Sequence, residues 1–278
     1  MTDLFPLGIA NFLYFAAALL YLGVLVRRKK LLLSVALLLT AAGFILQVIA
    51  FFVRWKISYQ IGAGHVPVAS FYESLLFFSG IIAAISMFGE IRYRNGKFGI
   101  FLLPIAFLIM TASILVPGIN NSIEPLVPAL KSSWLFFHVA TCIAGFAAFA
   151  ATFALGIGHF IIKKRDGNKV TGQTNADEKI FSQEMLLYKF SAWGFAFLTA
   201  GILSGAAWAH TAWGSYWSWD PKETCSFITW LIYAIIMHLR FTAKKSKNAA
   251  AILAIIGFLW VLFTYWGTIF LSSLHSYN

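Results

Sequence analysis

The stretch RRKKLLLSVALLLTAAGFILQVIAFFV, Arg27 to Val53, sets four bases directly against a long run that carries no charge at all. About 20 apolar residues suffice for a helix to cross the hydrocarbon core of a bilayer, so residues 31–53 read as a transmembrane span. Lys and Arg beside a span end are retained on the cytoplasmic side, so the four bases mark where this span enters the membrane. Working outward, similar apolar windows recur at about 6–26, 70–90, 99–117, 133–162, 188–211, 223–240 and 248–272. The expected fold is all-α: a polytopic membrane protein of about eight transmembrane helices, read as one domain over residues 1–278.

Composition agrees, because 60% hydrophobic and 11% charged residues are far from the balance of a soluble domain. The first apolar run lacks a basic leader and a small-residue cleavage site, which predicts that it stays as a span. Alternate breaks hold most of the bases: Arg27, Arg28, Lys29 and Lys30; Arg92, Arg94 and Lys97; Lys163, Lys164, Arg165, Lys169 and Lys179; and Arg240, Lys244, Lys245 and Lys247. The opposite breaks hold only Arg54, Lys56, Lys131 and Lys222. Both termini are therefore expected on the outer side, and residues 163–187 form a cytoplasmic loop, read as a flexible connector. The net charge of +11 is accounted for by these retention signals, with no nucleic-acid partner required. Cys142 and Cys225 belong to no C-x-x-C pair and read as packing residues.

One external segment stands apart. AHTAWGSYWSWDPKET, residues 209–224, carries Trp213, Tyr216, Trp217 and Trp219 with Gly214 among them. Asp220, Pro221 and Glu223 fall at the N-cap, first and third positions of the following helix, a capping-box spacing. Aromatic rings do gather at membrane interfaces, but this density suits a shelf for a flat, apolar, π-rich ligand. A metal-bearing planar ligand takes axial donors, most often imidazole. His138 lies about six residues into the fifth span, roughly 9 Å below its outer end, and His275 follows the last span. An ionisable side chain within a span marks a functional site by default. His238 lies near the inner end of the seventh span, two turns beyond Trp230, and reads as an inner donor. His65 reads as a capping or lining residue and His210 as a neighbour of the segment, while His159 is expected at the interface without a role.

The segment WGSYWSWDPKET resembles the tryptophan-rich WWD signature of the haem-handling cytochrome c biogenesis proteins, in the CcsA/ResC branch of System II. GHVPVASFYESLLFFSG, KSSWLFFHVATC, ITWLIYAIIMHLR and LSSLHSYN follow in the order of that family. The resemblance implies that haem b is carried to the outer face and attached to the C-x-x-C-H thiols of apocytochrome c, a holocytochrome c synthase activity. It implies a ResB/CcsB-like membrane partner, a thioredoxin-like thiol reductant, and a bacterial cytoplasmic or thylakoid membrane. It gives His138 and His275 as outer axial ligands, Trp213 to Asp220 as the haem shelf, and His238 as a ligand on the loading route, its companion supplied by the partner. Cys225 departs from the bulky aromatic of the family pattern, and His210 from its usual polar residue. Two other readings were set against this one: a membrane electron carrier with bis-histidine haem, and a small-molecule transporter with an aromatic gate.

Overall fold

The computed structural model describes residues 4–27, 29–94, 96–166, 173–242 and 247–267. Its long elements are helices: α1 Leu4–Arg27, α2 Lys30–Gln60, α3 Phe71–Tyr93, α4 Lys97–Leu115, α5 Ser133–Asp166, α6 Gln173–Trp213, α7 Pro221–Thr242 and α8 Lys247–Trp266, with a 3-10 turn at Pro128–Leu130. Among the described residues, seven helices are long and apolar enough to cross a membrane. The chain is a multi-pass membrane protein. α7 is the helix that falls short: Lys222 and Glu223 in its first turn, then Thr224, Ser226, Thr229 and His238, dilute its apolar content. A helix begins at Gln173, well before the expected span at 188; the sequence there is polar yet rich in helix formers, and only residues 167–172 of the anticipated connector lie outside the described residues.

The chain divides into two compact units, with the boundary between Ile143 and Ala144, inside α5. In the first, α1 buries Leu7, Ala10, Tyr14, Ala17 and Tyr21, and α2 buries Ala36, Thr40, Gly43, Gln47, Ala50, Arg54 and Ser58. Both sets recur at three and four residues, one helical face each. Small residues bring the backbones together: a Cβ on Gly43 would lie 2.8 Å from the Tyr14 ring. Gln47 ties three helices, accepting from Tyr14 Oη at 2.7 Å and donating to the Leu76 carbonyl and Ser79 Oγ, each at 2.7 Å. An apolar cavity of about 250 Å³ lies beside it, walled by Phe44, Phe51, Phe77 and Ile81.

The α3–α4 turn is held by Glu90, whose buried carboxylate accepts from the backbone N–H groups of Gly96 at 2.9 Å and Gly99 at 3.0 Å. A negative charge at the start of α4 also suits the helix dipole. Val24 of α1 packs beside Gly96, so the first two basic breaks share one end of this unit.

In the second unit α5 is buried on several sides through Ala147, Ala148, Phe149, Ala150 and Ala151. A Cβ on Gly145 would meet the Gly194 carbonyl and the Leu198 N of α6 at 3.1 Å, and one on Gly156 the Ala251 carbonyl of α8 at 2.9 Å. Thr152 Oγ1 lies 3.1 Å from Tyr233 Oη of α7. His159 is buried against α8, its Nε2 3.0 Å from Asn248 Oδ1 near the start of that helix. Because the atoms facing Gly145 are backbone, α6 must move to admit a side chain. Gly145→Val should cost about 1–3 kcal/mol, read as earlier thermal unfolding in detergent, with Gly8→Ala, which faces open space, as the neutral control.

Candidate functional site

The aromatic segment starts where α6 stops. Gly214, at φ +80°, adopts the left-handed conformation that closes many helices, and its N–H donates to the His210 carbonyl at 3.0 Å. Its other end is the capped start of α7 foreseen from the spacing. Asp220, buried, accepts from Lys222 N at 2.9 Å, and Glu223 Oε2 reaches back to Ser218 N at 2.8 Å and Asp220 N at 3.2 Å. Ser215 Oγ donates to the Trp217 carbonyl at 2.9 Å. The amides of Ser218, Asp220 and Lys222 thus each donate to a carboxylate, the stronger class of hydrogen bond. Burial lowers the pKa of the Lys222 ammonium, and the nearby Asp220 carboxylate opposes that shift.

The rings form a connected row. Trp219 meets Trp217 edge-on at 5.6 Å between centroids; Trp217 meets Phe227 at 6.4 Å; Phe227 stacks on Trp230 at 6.1 Å; and Phe195 of α6 lies 5.0 Å from Trp230. Trp230 Nε1 donates to Thr199 Oγ1 at 2.9 Å, which fixes the ring's rotation. Trp213 packs edge-on against the buried Trp208, and Tyr216 stacks on His210 at 4.2 Å. Of the predicted shelf residues, Trp217 and Trp219 thus share one row with Trp230, whereas Trp213 and Tyr216 turn to Trp208 and His210. Phe227 and Phe195 were missed; Phe227 carries a local signal, three residues before Trp230 and so on the same helical face, whereas Phe195 lies on the preceding helix, where no local pattern reveals it.

Trp219 is two-thirds exposed and sits at φ +59°, a conformation costly for a bulky side chain. His238 lies on the exposed face of α7 with Phe227, Leu231 and Ile235, while Cys225, Thr229, Tyr233 and Ile236 fill the buried face. Cys225 is a packing residue, its carbonyl accepting from Thr229 Oγ1 and Trp260 Nε1. His138, on α5 in the first unit, is half-buried, and its Nδ1 lies 3.7 Å from Cys142 Sγ one turn further on. His275 lies outside the described residues. Among the described residues, no three His, Cys, Asp or Glu side chains gather as a bare-metal site.

A model of the cytochrome c assembly protein family matches residues 68–275, a stretch that contains the segment and His138, His238 and His275. The chain belongs to that family. Within it, the chain is of the CcsA type: it is 36% identical over 271 residues to cytochrome c biogenesis protein CcsA of Prochlorococcus marinus, covering 88% of this chain and 84% of that one. It is 37% identical over 239 residues to CcsA of Chlamydomonas reinhardtii, covering 84% of this chain and 65% of that longer protein. Among solved structures the fold is similar to cytochrome c haem lyase CcmF, with a TM-score of 0.71 at 18% identity over 95% of this chain and 46% of that chain. That likeness is one of fold, and this chain spans less than half of that protein. Membership in the cytochrome c assembly family gives the chain a role in cytochrome c maturation.

The strain at Trp219 separates two properties of the segment. Trp219→Gly should relieve about 1 kcal/mol of backbone cost and lose little burial, so thermal stability in detergent stays level or rises even as the row loses its outermost ring.

Proposed function

We propose that this protein presents haem, as substrate, at the outer membrane face and attaches it to the two thiols of a C-x-x-C-H site in apocytochrome c. The observation that carries this reading is the row Trp219, Trp217, Phe227, Trp230 and Phe195, an apolar π-rich surface running from the external segment down α7. Such a surface suits one face of a porphyrin. The reaction is an addition: each thiol S–H adds across a vinyl C=C, sulfur bonding one carbon and the proton going to the other, with no leaving group. The protein then has only to hold the vinyl edge and the thiols together, which is catalysis by positioning.

His138 and His275 are the proposed outer axial donors, and Trp213, Gly214, Tyr216, Trp217, Trp219 and Asp220 the proposed shelf. Cys142 Sγ beside His138 Nδ1 helps set the ring's rotation, as partners of ligating histidines do. Asp220 and Glu223 act by fixing the segment's backbone. His238 is the proposed inner donor. Its place on the outward face of α7 favours a companion ligand from another chain, in keeping with a ResB/CcsB-like partner. A thioredoxin-like protein would keep the substrate thiols reduced, and the bacterial cytoplasmic or thylakoid membrane is the proposed home.

Expressed with its membrane partner, the wild-type chain should copurify with haem by pyridine haemochrome assay. His138→Ala and His275→Ala should each lower holocytochrome yield at least tenfold while the protein accumulates normally; unchanged yield in both would refute the axial assignment. His238→Ala should instead reduce the haem that copurifies, and Trp217→Ala should weaken haem retention without lowering the unfolding temperature comparably.

A further inference from the structure

Between α4 and α5, residues 116–132 contain no regular structure except the turn at Pro128–Leu130. Irregular backbone of this kind needs partners elsewhere for its polar groups. Two buried side chains of the same unit, Arg54 and His65, supply some of them, and a third, Glu73, holds Arg54 in place. Arg54 donates through Nε to Glu73 Oε1 at 2.9 Å, and its Nη2 reaches the carbonyls of Asn121 at 3.0 Å and Ser122 at 3.3 Å. Glu73, in a capping box with Ser70, also accepts from Ala69 N at 3.1 Å and Ser70 N at 3.2 Å. His65 has Nδ1 3.1 Å from the Val66 carbonyl and Nε2 3.2 Å from the Glu124 carbonyl, an imidazole with one N–H donating to one of them at a time, while its backbone N–H donates to Ser58 Oγ at 3.0 Å.

Arg54, Glu73 and His65 are exposed by 3%, 1% and 8%. A buried ion pair is poor evidence for stability, since apolar residues of similar volume serve as well or better. What apolar residues cannot supply is a planar fork with one arm on a carboxylate and the other on two carbonyls of a distant loop. That loop leads through Pro125 and Pro128 into α5, whose sixth residue is His138.

We propose that Arg54, Glu73 and His65 form a buried clamp that fixes the 121–124 loop and, through its proline-stiffened continuation, the position of His138. They are positioning residues, and the second half of the proposal rests on the reading of His138 as an axial donor. The sequence motif GHVPVASFYES then has a role: it carries two of the three clamp residues and the capping box that orients one of them.

The test uses the full chain expressed with its membrane partner. Arg54→Lys keeps the charge and loses the fork, and His65→Asn removes the ring that reaches the Glu124 carbonyl while leaving the Arg54–Glu73 pair in place. The paired swap Arg54→Glu with Glu73→Arg keeps an ion pair without a guanidinium aimed at the loop. Hydrogen exchange by mass spectrometry should show residues 118–127 exchanging at least tenfold faster in Arg54→Lys and His65→Asn, with α1 and α3 unchanged. Holocytochrome yield should fall at least tenfold in Arg54→Lys and in the swap, and added imidazole should restore part of it, as it should for His138→Ala. Unchanged exchange in both single variants, or full yield from the swap without imidazole, overturns the clamp. Normal maturation by His138→Ala overturns the axial reading instead, and the exchange data still decide whether the loop is clamped.

Discussion

Helices surrounded by hydrocarbon gain little by burying apolar faces against one another, because lipid is as apolar as leucine. Association must come from close packing and from the few polar groups that have nowhere else to go. This chain uses both. Gly43, Gly145, Gly156 and Gly194 let backbone and rings approach to distances that no side chain would permit. Gln47, the Thr152–Tyr233 pair and the His159–Asn248 pair then fix register, each joining different helices at one depth. Arg54 with Glu73, and Glu90 with the start of α4, do the same at opposite ends of the first unit.

Hydropathy made the helices legible, because a run such as residues 31–53 has no alternative structure in a bilayer. The start of α7 was also legible: Asp220, Pro221 and Glu223 state a cap in local sequence alone. Contacts between distant segments were not. Arg54, Glu73 and Glu90 are visible in the sequence only as charges near span ends, and nothing local reveals that Arg54 meets Glu73 or that Glu90 meets the next helix. For His159, depth along a helix could be counted but rotation toward Asn248 of α8 could not. The early start of α6 was hidden by polarity, since propensity rather than hydropathy extends a helix beyond the membrane.

The aromatic segment shows how backbone chemistry prepares a surface. Glu223 gathers the amides of Ser218 and Asp220, and Gly214 turns the chain out of α6, so that Trp217 and Trp219 are presented by a segment with little freedom. Trp219 holds a backbone conformation that glycine would adopt at no cost, and strain of this kind gathers where a residue serves something other than stability. The proposed haem chemistry asks for such a surface: planar, apolar and already ordered before its substrate arrives.

α7 has one further consequence. Among the described residues it is the helix that is not apolar enough to count as a span by itself, with threonines and a tyrosine on one side and His238 on the other. During synthesis a segment of that kind partitions reluctantly from the insertion machinery into lipid and is retained most readily by flanking spans. α6 precedes it and α8, which takes the Cys225 carbonyl through Trp260, follows it. The second anchor of this helix is therefore made only after α7 itself, so α7 depends on a neighbour that the ribosome has yet to deliver when it first meets the bilayer.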